Sequence, residues 1–216
     1  MILPFVSEAE QRSSNPAVLE HLRAGGLLAY PTETVYGLGS MPTTAPLAAL
    51  TKLKGRAPDK PFLLLISGRP MAERWGLAFN ASASALARVF WPGPLTLVLP
   101  GGEGKLPDAL RGAEGGIAVR YTSHTGIARL VAALDAPLTS TSANRPGQPT
   151  APGVGGLVET FRAAVDAGEL LVLDGGVLGN VPPSTVVDCT GPAPRMVRTG
   201  AIPLPELRQA VGSLSP

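Results

Sequence analysis

Three short polar clusters interrupt apolar segments of this 216-residue chain, and each stands where a strand or helix should end. Pro31-Thr32-Glu33-Thr34-Val35-Tyr36-Gly37 packs two hydroxyls, a carboxylate and a phenol into one turn. Lys54-Gly55-Arg56 places two cations at the end of a helical pattern, and Thr139-Ser140-Thr141-Ser142-Ala143-Asn144 brings hydroxyls and an amide to the end of a strand. Taken singly, each has a plain structural reading. A Thr-Glu-Thr turn can satisfy its own backbone, Lys54 and Arg56 complement a helix dipole, and Ser142 with Asn144 suits an ordinary turn. Jointly they offer fixed cations for phosphates and hydroxyl and amide groups for orienting a small polar substrate, with no nucleophile beside a base. That set suits chemistry done by positioning. Ligands of open α/β sheets bind in the crevice beyond the carboxyl ends of strands, where the first and third clusters would open.

Several common chemistries are excluded. GxxxxGK[ST] is absent, because Gly101-Gly102-Glu103-Gly104-Lys105 has the wrong spacing and no following Ser or Thr. GxGxxG fails as well, since Gly37-Leu38-Gly39 meets Pro42 where the third glycine belongs. His21 and His124 are too far apart for HExxH, and Cys189, the one cysteine, builds neither a disulfide framework nor a thiolate zinc site; no metal site is expected. Eighteen basic against 16 acidic residues give a net charge of +2, too small to argue for nucleic acid unless the cations cluster. Met1-Ile2-Leu3-Pro4-Phe5 lacks the basic start of a signal peptide, and no apolar run approaches the roughly 20 residues of a membrane helix. A cytoplasmic protein without membrane contact is expected.

The elements that must position the clusters follow from periodicity. With 44% hydrophobic residues, 26 glycines and 23 prolines, the sequence predicts a loop-rich single domain over residues 1–216. Helices are expected from Asn15-Pro16 to Gly25-Gly26, over Pro46 to Lys54, Ala81 to Phe90, Thr125 to Leu134 and Leu157 to Ala167, and from Pro205 onward. Strands are expected at 27–30, 62–66, 95–99, 117–121, 137–141, 170–173, 185–188 and 195–198. Gly101 to Gly116 reads as a mobile loop. Strands and helices alternate, with consecutive strands near the end, so a mixed α/β sheet is expected rather than a parallel one.

Six motifs in order, PTETVYGLG at Pro31 to Gly39, KGR at Lys54 to Arg56, AVR at Ala118 to Arg120, STSAN at Ser140 to Asn144, STVVD at Ser184 to Asp188 and VRTGAI at Val197 to Ile202, resemble the YrdC-like threonylcarbamoyl-AMP synthases. The resemblance covers nearly the whole chain and fits the short, single-domain members. It implies an α/β fold, a twisted open mixed sheet with flanking helices around a deep electropositive cavity. It also implies a reaction in which L-threonine, bicarbonate and ATP, the last with Mg²⁺, give L-threonylcarbamoyladenylate and pyrophosphate. Downstream threonylcarbamoyl transferase proteins then carry the group to the adenosine beside the anticodon of tRNA.

Residue by residue, the resemblance implies that the family's Lys-x-Arg and Ser-x-Asn signature falls on Lys54, Arg56, Ser142 and Asn144, around the nucleotide, with Thr150 and Arg198 as further nucleotide contacts. Thr34, Arg120, Ser140 and Ser184 match the threonine pocket. Lys54 and Arg56 would balance phosphate charge, and Arg120 would offer a planar fork to the threonine carboxylate. Leu65, Gly116 and Asn144-Arg145-Pro146-Gly147 depart from the family pattern, where a histidine, a threonine and Asn-x-Ser-Gly stand in relatives. His124 reads as structural. Two alternatives compete: a non-catalytic module of the same fold that binds tRNA or double-stranded RNA, and a paralogue of the YciO-like or hydrogenase-maturation type. Few aromatics, 5%, disfavour the first; the intact signature disfavours the YciO-like type, and the absence of zinc-finger-like cysteines and of a much longer chain disfavours the hydrogenase-maturation type.

Overall fold

Ser7 opens the first helix with a reciprocal capping box: its hydroxyl accepts from Glu10 N–H at 3.2 Å, and the Glu10 carboxylate accepts from Ser7 N–H at 2.7 Å. In the computed structural model, which describes residues 1–57, 60–179 and 181–215, this helix, α1, runs over Glu8–Arg23 and carries Pro16 in its interior. The expected start at Asn15-Pro16 is therefore corrected by two turns. The early part buries Gln11 and Ser14 instead of aliphatic residues, so it left no apolar period to read. Ser14 Oγ donates to Pro4 O at 2.9 Å.

The strands are β1 (Ile2–Pro4), β2 (Leu27–Tyr30), β3 (Gly37–Gly39), β4 (Leu63–Leu65), β5 (Leu95–Leu99), β6 (Ile117–Arg120), β7 (Leu138–Ser142), β8 (Leu170–Asp174), β9 (Thr185–Asp188) and β10 (Arg195–Arg198). The remaining helices are α2 (Thr44–Lys54), α3 (Arg69–Arg74), α4 (Ala81–Phe90), α5 (Thr125–Leu134), α6 (Val154–Thr160), α7 (Arg162–Asp166) and α8 (Leu204–Val211). Among the described residues these ten strands join one twisted mixed sheet in the order β1-β8-β2-β3-β7-β4-β6-β5-β9-β10. Pairs β1/β8, β2/β8, β4/β6 and β5/β9 are parallel, and the others antiparallel. Flanking helices pack in pairs, α1 on α5 and α4 on α8, while α6 and α7 lie on β8. The core runs along the sheet through Leu28, Leu38, Leu64, Leu97, Val119, Leu138 and Val172, each with no more than 1% exposure.

The expected helix over 157–167 is two short helices, broken at Phe161, whose backbone (φ −119°, ψ 23°) leaves the helical region while its ring is buried. Gly101 to Gly116 is tied down rather than loose. Leu106 and Leu110 are buried in it, a 3₁₀ turn spans Asp108–Leu110, and Arg111 Nη1 donates to Gly101 O at 2.8 Å and Gly115 O at 3.1 Å.

Gly39 explains the end of the PTETVYGLG motif. A Cβ there would stand 2.1 Å from the Thr139 carbonyl oxygen, so the backbone of β7 leaves no room for a side chain at this point. Gly39→Ala is expected to cost about 3 kcal/mol of stability. Denaturant unfolding checks it, and a variant as stable as the parent would contradict the close approach.

Candidate active site

The turn from β2 to β3 is closed by one hydroxyl. Thr32 Oγ1 accepts from the N–H groups of Thr34 and Val35, both at 3.2 Å, and donates to Val35 O at 2.7 Å. Its proton is thereby committed, so Thr34 supplies the hydrogen of the 3.0 Å contact between the two hydroxyls. The turn directs Thr34 into a cavity of about 430 Å³.

Strand register brings the distant motifs to that same cavity. Gly37 pairs with Ser142, Leu63 with Ser140, Leu65 with Arg120, and Thr96 with both Arg120 and Val186. Of these adjacent strands, β7 delivers Ser140, Thr141 and Ser142, β6 Arg120 and β5 Thr96, while β3 and β4 line the cavity with Gly37 and Leu63; Ser184 stands just before β9, and β10 adds Arg198. Of the residues singled out in the sequence, Thr34, Arg56, Arg120, Ser140, Ser142, Thr150, Ser184 and Arg198 line the cavity. Lys54 and Asn144 stand behind its wall.

Lys54, at the end of α2, is 4% exposed, and its ammonium donates to Ser142 O at 2.7 Å, Asn144 O at 2.5 Å and Asn144 Oδ1 at 2.6 Å. All three acceptors are neutral oxygens, and together they close the Ser-x-Asn turn around one cation. Burial, with help from the Arg56 charge, pulls the lysine pKa down to about 8. Gly55 follows in the left-handed region (φ 63°), a conformation that ends the helix and turns the chain outward to Arg56. Arg56 donates to Thr141 Oγ1 at 3.1 Å and Pro61 O at 2.8 Å and lies 4.8 Å from the Phe62 ring centroid.

Arg198 grips the other wall: Nη2 donates to Ser184 O at 2.8 Å and Ser184 Oγ at 3.1 Å, and Ser184 Oγ meets Thr96 Oγ1 at 2.8 Å. Burial lowers the pKa of Arg56 and Arg198; the charge of Arg198 lowers Arg56 further, and that of Arg120 lowers Arg198. Arg198 is therefore the middle of three mutually repelling guanidinium groups, and no carboxylate is among the described residues lining the cavity. An anion entering it would relieve that repulsion.

Arg120, 5% exposed, is held by Glu33 Oε1 at 2.8 Å and donates from Nε to Gly93 O at 3.3 Å. Glu33 also accepts from the Thr122 hydroxyl and, at 3.0 Å, from Ser123 N–H. Burial works to raise its pKa, but Arg120 and these donors outweigh it and hold the carboxyl at about 2. The sequence placed Glu33 in its turn and Thr141 in the third polar cluster without a role for either, and Thr96, a hydroxyl within a run that reads simply as strand, was missed. Leu65 is buried at 1% and does not line the cavity, whereas Leu63 of the same strand does. Gly116 is also outside the lining, and a Cβ there would meet Val98 Cγ1 at 2.5 Å. His124 caps α5, its Nδ1 accepting from Ile127 N–H at 3.3 Å.

Known proteins match this arrangement. The Sua5/YciO/YrdC family model, described as "Telomere recombination", matches residues 20–200. A threonylcarbamoyl-AMP synthase of Chromohalobacter salexigens is 40% identical over 168 residues, 77% of this chain and 88% of that protein. One of Pyrococcus abyssi is 34% identical over 194 residues, 89% of this chain but only 56% of its own length. The chain thus spans little more than half of the Pyrococcus protein. The structure of P. abyssi Sua5 complexed with L-threonine superposes with a TM-score of 0.90 at 31% identity, covering 100% of this chain and 62% of that one. With the match running through every element that builds the cavity, the chain belongs to the Sua5/YciO/YrdC family.

Proposed function

We propose that the chain, as a single domain, is an L-threonylcarbamoyladenylate synthase. The amine of L-threonine combines with bicarbonate, losing water, to give a carbamate. A carbamate oxygen then bonds to the α-phosphorus of ATP as the bond to the β-phosphate oxygen breaks, and pyrophosphate leaves with that electron pair. No protein nucleophile is needed. The chain's task is alignment and charge balance.

The observation that carries the reading is the meeting of three guanidinium groups with a hydroxyl lining in one cavity of about 430 Å³, in a chain 34–40% identical to proteins named for this activity. Arg120, with Thr34, Ser140 and Ser184 around it, would take the threonine carboxylate and hydroxyl. Arg56 and Arg198, with Ser142 and Thr150, would face the nucleotide. Lys54 would act one step back, holding Ser142 and Asn144 in the turn that the nucleotide meets. Among the described residues no group of three His, Cys, Asp or Glu side chains is placed to hold a metal ion, so Mg²⁺ would travel with the triphosphate as part of the substrate. A concave cavity of about 430 Å³ suits a small-molecule ligand better than a duplex lying across a surface, which favours the synthase over the RNA-binding module. No helix among the described residues is long and apolar enough to cross a membrane. A cytoplasmic site of action, beside tRNA and the transferases that consume the adenylate, completes the reading.

The test follows the carbon. With ¹³C-bicarbonate, ATP, Mg²⁺ and L-threonine, the label is expected in an adduct carrying both AMP and threonine, identified by mass, and serine should yield much less. Serine keeps the hydroxyl but lacks the methyl group, and a missing methyl costs about 10-fold or more. An adduct without the label would overturn the proposed order of bonds.

A further inference from the structure

Glu33 is a part-buried carboxylate beside the cavity, and the reaction as written does not use it. It belongs to the turn that also carries Thr34, yet the two neighbours part company: Thr34 lines the cavity and Glu33 does not. Glu33 reaches instead across to the segment after β6, where one carboxylate oxygen takes Arg120 Nη2 at 2.8 Å and Ser123 N–H at 3.0 Å, and the other takes the Thr122 hydroxyl. Each of its oxygens is occupied, and its side chain is 18% exposed. A general base for the threonine amine would need a free oxygen on the cavity and a carboxyl that accepts protons near neutral pH. Glu33 has neither, being held at about 2.

The guanidinium it grips is used unevenly. Nε is spent on Gly93 O at 3.3 Å and Nη2 on Glu33 at 2.8 Å; Thr34 Oγ1 stands 3.5 Å from both Nη1 and Nη2, and among the described residues it is the only hydrogen-bond partner of Nη1. That distance leaves Nη1 free to prefer a better acceptor. Resting on the proposal that Arg120 receives the threonine carboxylate, we infer that Glu33 is the positioning residue for that contact: it clamps Nη2 from outside the cavity and leaves the Nη1 donors aimed inward. A planar fork clamped on one edge loses little rotational freedom when a second carboxylate docks on the rest.

The experiment compares Glu33→Gln with Arg120→Gln, using L-threonine and threoninamide, whose carboxyl carries no charge. Glu33→Gln should raise the KM for L-threonine about tenfold, the loss expected when one charge-assisted hydrogen bond is weakened. The KM for ATP should stay within about twofold, and the preference for L-threonine over threoninamide should shrink by the same factor as the threonine KM rises. Glu33→Asp, which keeps the charge on a shorter arm, should fall between the parent and Glu33→Gln, and it serves as the probe should Glu33→Gln fail to fold. A Glu33→Gln enzyme that melts like the parent and keeps its preference for L-threonine overturns the inference. If Arg120→Gln also leaves that preference intact, the error lies earlier, in the assignment of Arg120 to the carboxylate. If Arg120→Gln abolishes it while Glu33→Gln does not, only the positioning role falls.

Discussion

Arg56→Ala is expected to lower adenylate formation by about 10²–10³-fold, the loss typical of removing one preorganised group that stabilises developing charge. The fold should be nearly untouched. Arg56 leaves α2 after a left-handed glycine and lines the cavity; it donates to a threonine hydroxyl and to carbonyl oxygens of its own loop, which water can reach once the side chain is gone. Its loss gives up the contact with the Phe62 ring, about 1 kcal/mol. Threonine binding, measured by calorimetry without ATP, should be retained, because Thr34, Arg120 and Glu33 do not touch Arg56. Turnover at the parent rate would remove Arg56 from the nucleotide and with it the proposed division of the cavity.

Lys54→Met should fail for a different reason, although the two residues share one motif. Methionine fits the buried volume but leaves Ser142 O, Asn144 O and Asn144 Oδ1 without the ammonium that draws them together. Stranding these acceptors should cost about 3 kcal/mol of stability. With Ser142 displaced from the cavity wall, activity should fall at least about 100-fold. Lys54→Arg should also be impaired: a planar fork cannot replace a single nitrogen on which acceptors converge at 2.5, 2.6 and 2.7 Å. The signature of the account is the contrast, with Arg56→Ala inactive and stable, and Lys54→Met inactive and destabilised. Equal melting of Lys54→Met and the parent would contradict the keystone role of the lysine.

What could be read from the sequence follows from which signals were local. β2, β5, α4 and α5 declare themselves by apolar pattern, and β9 and β10 as short segments, Thr-Val-Val-Asp and Arg-Met-Val-Arg, set off by prolines and glycines. β3 is Gly-Leu-Gly, a strand that no propensity would favour; it exists because its neighbours come too close for a side chain at Gly39. The first half of α1 was hidden because its buried face is polar, and the break at Phe161 because a buried aromatic within a helical pattern reads as continuity. At the site, residue types pointed to positioning chemistry, while the assignment of each residue came from the resemblance. Strand order could not be read, and it alone brings Thr34, Arg120, Ser142 and Arg198 to one cavity. The sequence did not distinguish a lysine facing the ligand from one holding the turn behind it, since both reside in a K-x-R motif at a helix end. Glu33 was hidden in the same way: its partner lies 87 residues further along the chain.

The most direct measurement is pyrophosphate release by the purified protein with ATP, Mg²⁺, bicarbonate and L-threonine, repeated with each component left out in turn. Release should require both threonine and bicarbonate, because the carbamate made from them is the only nucleophile in the account. Release that continues without either one would contradict it, since water or another group would then be attacking the α-phosphorus.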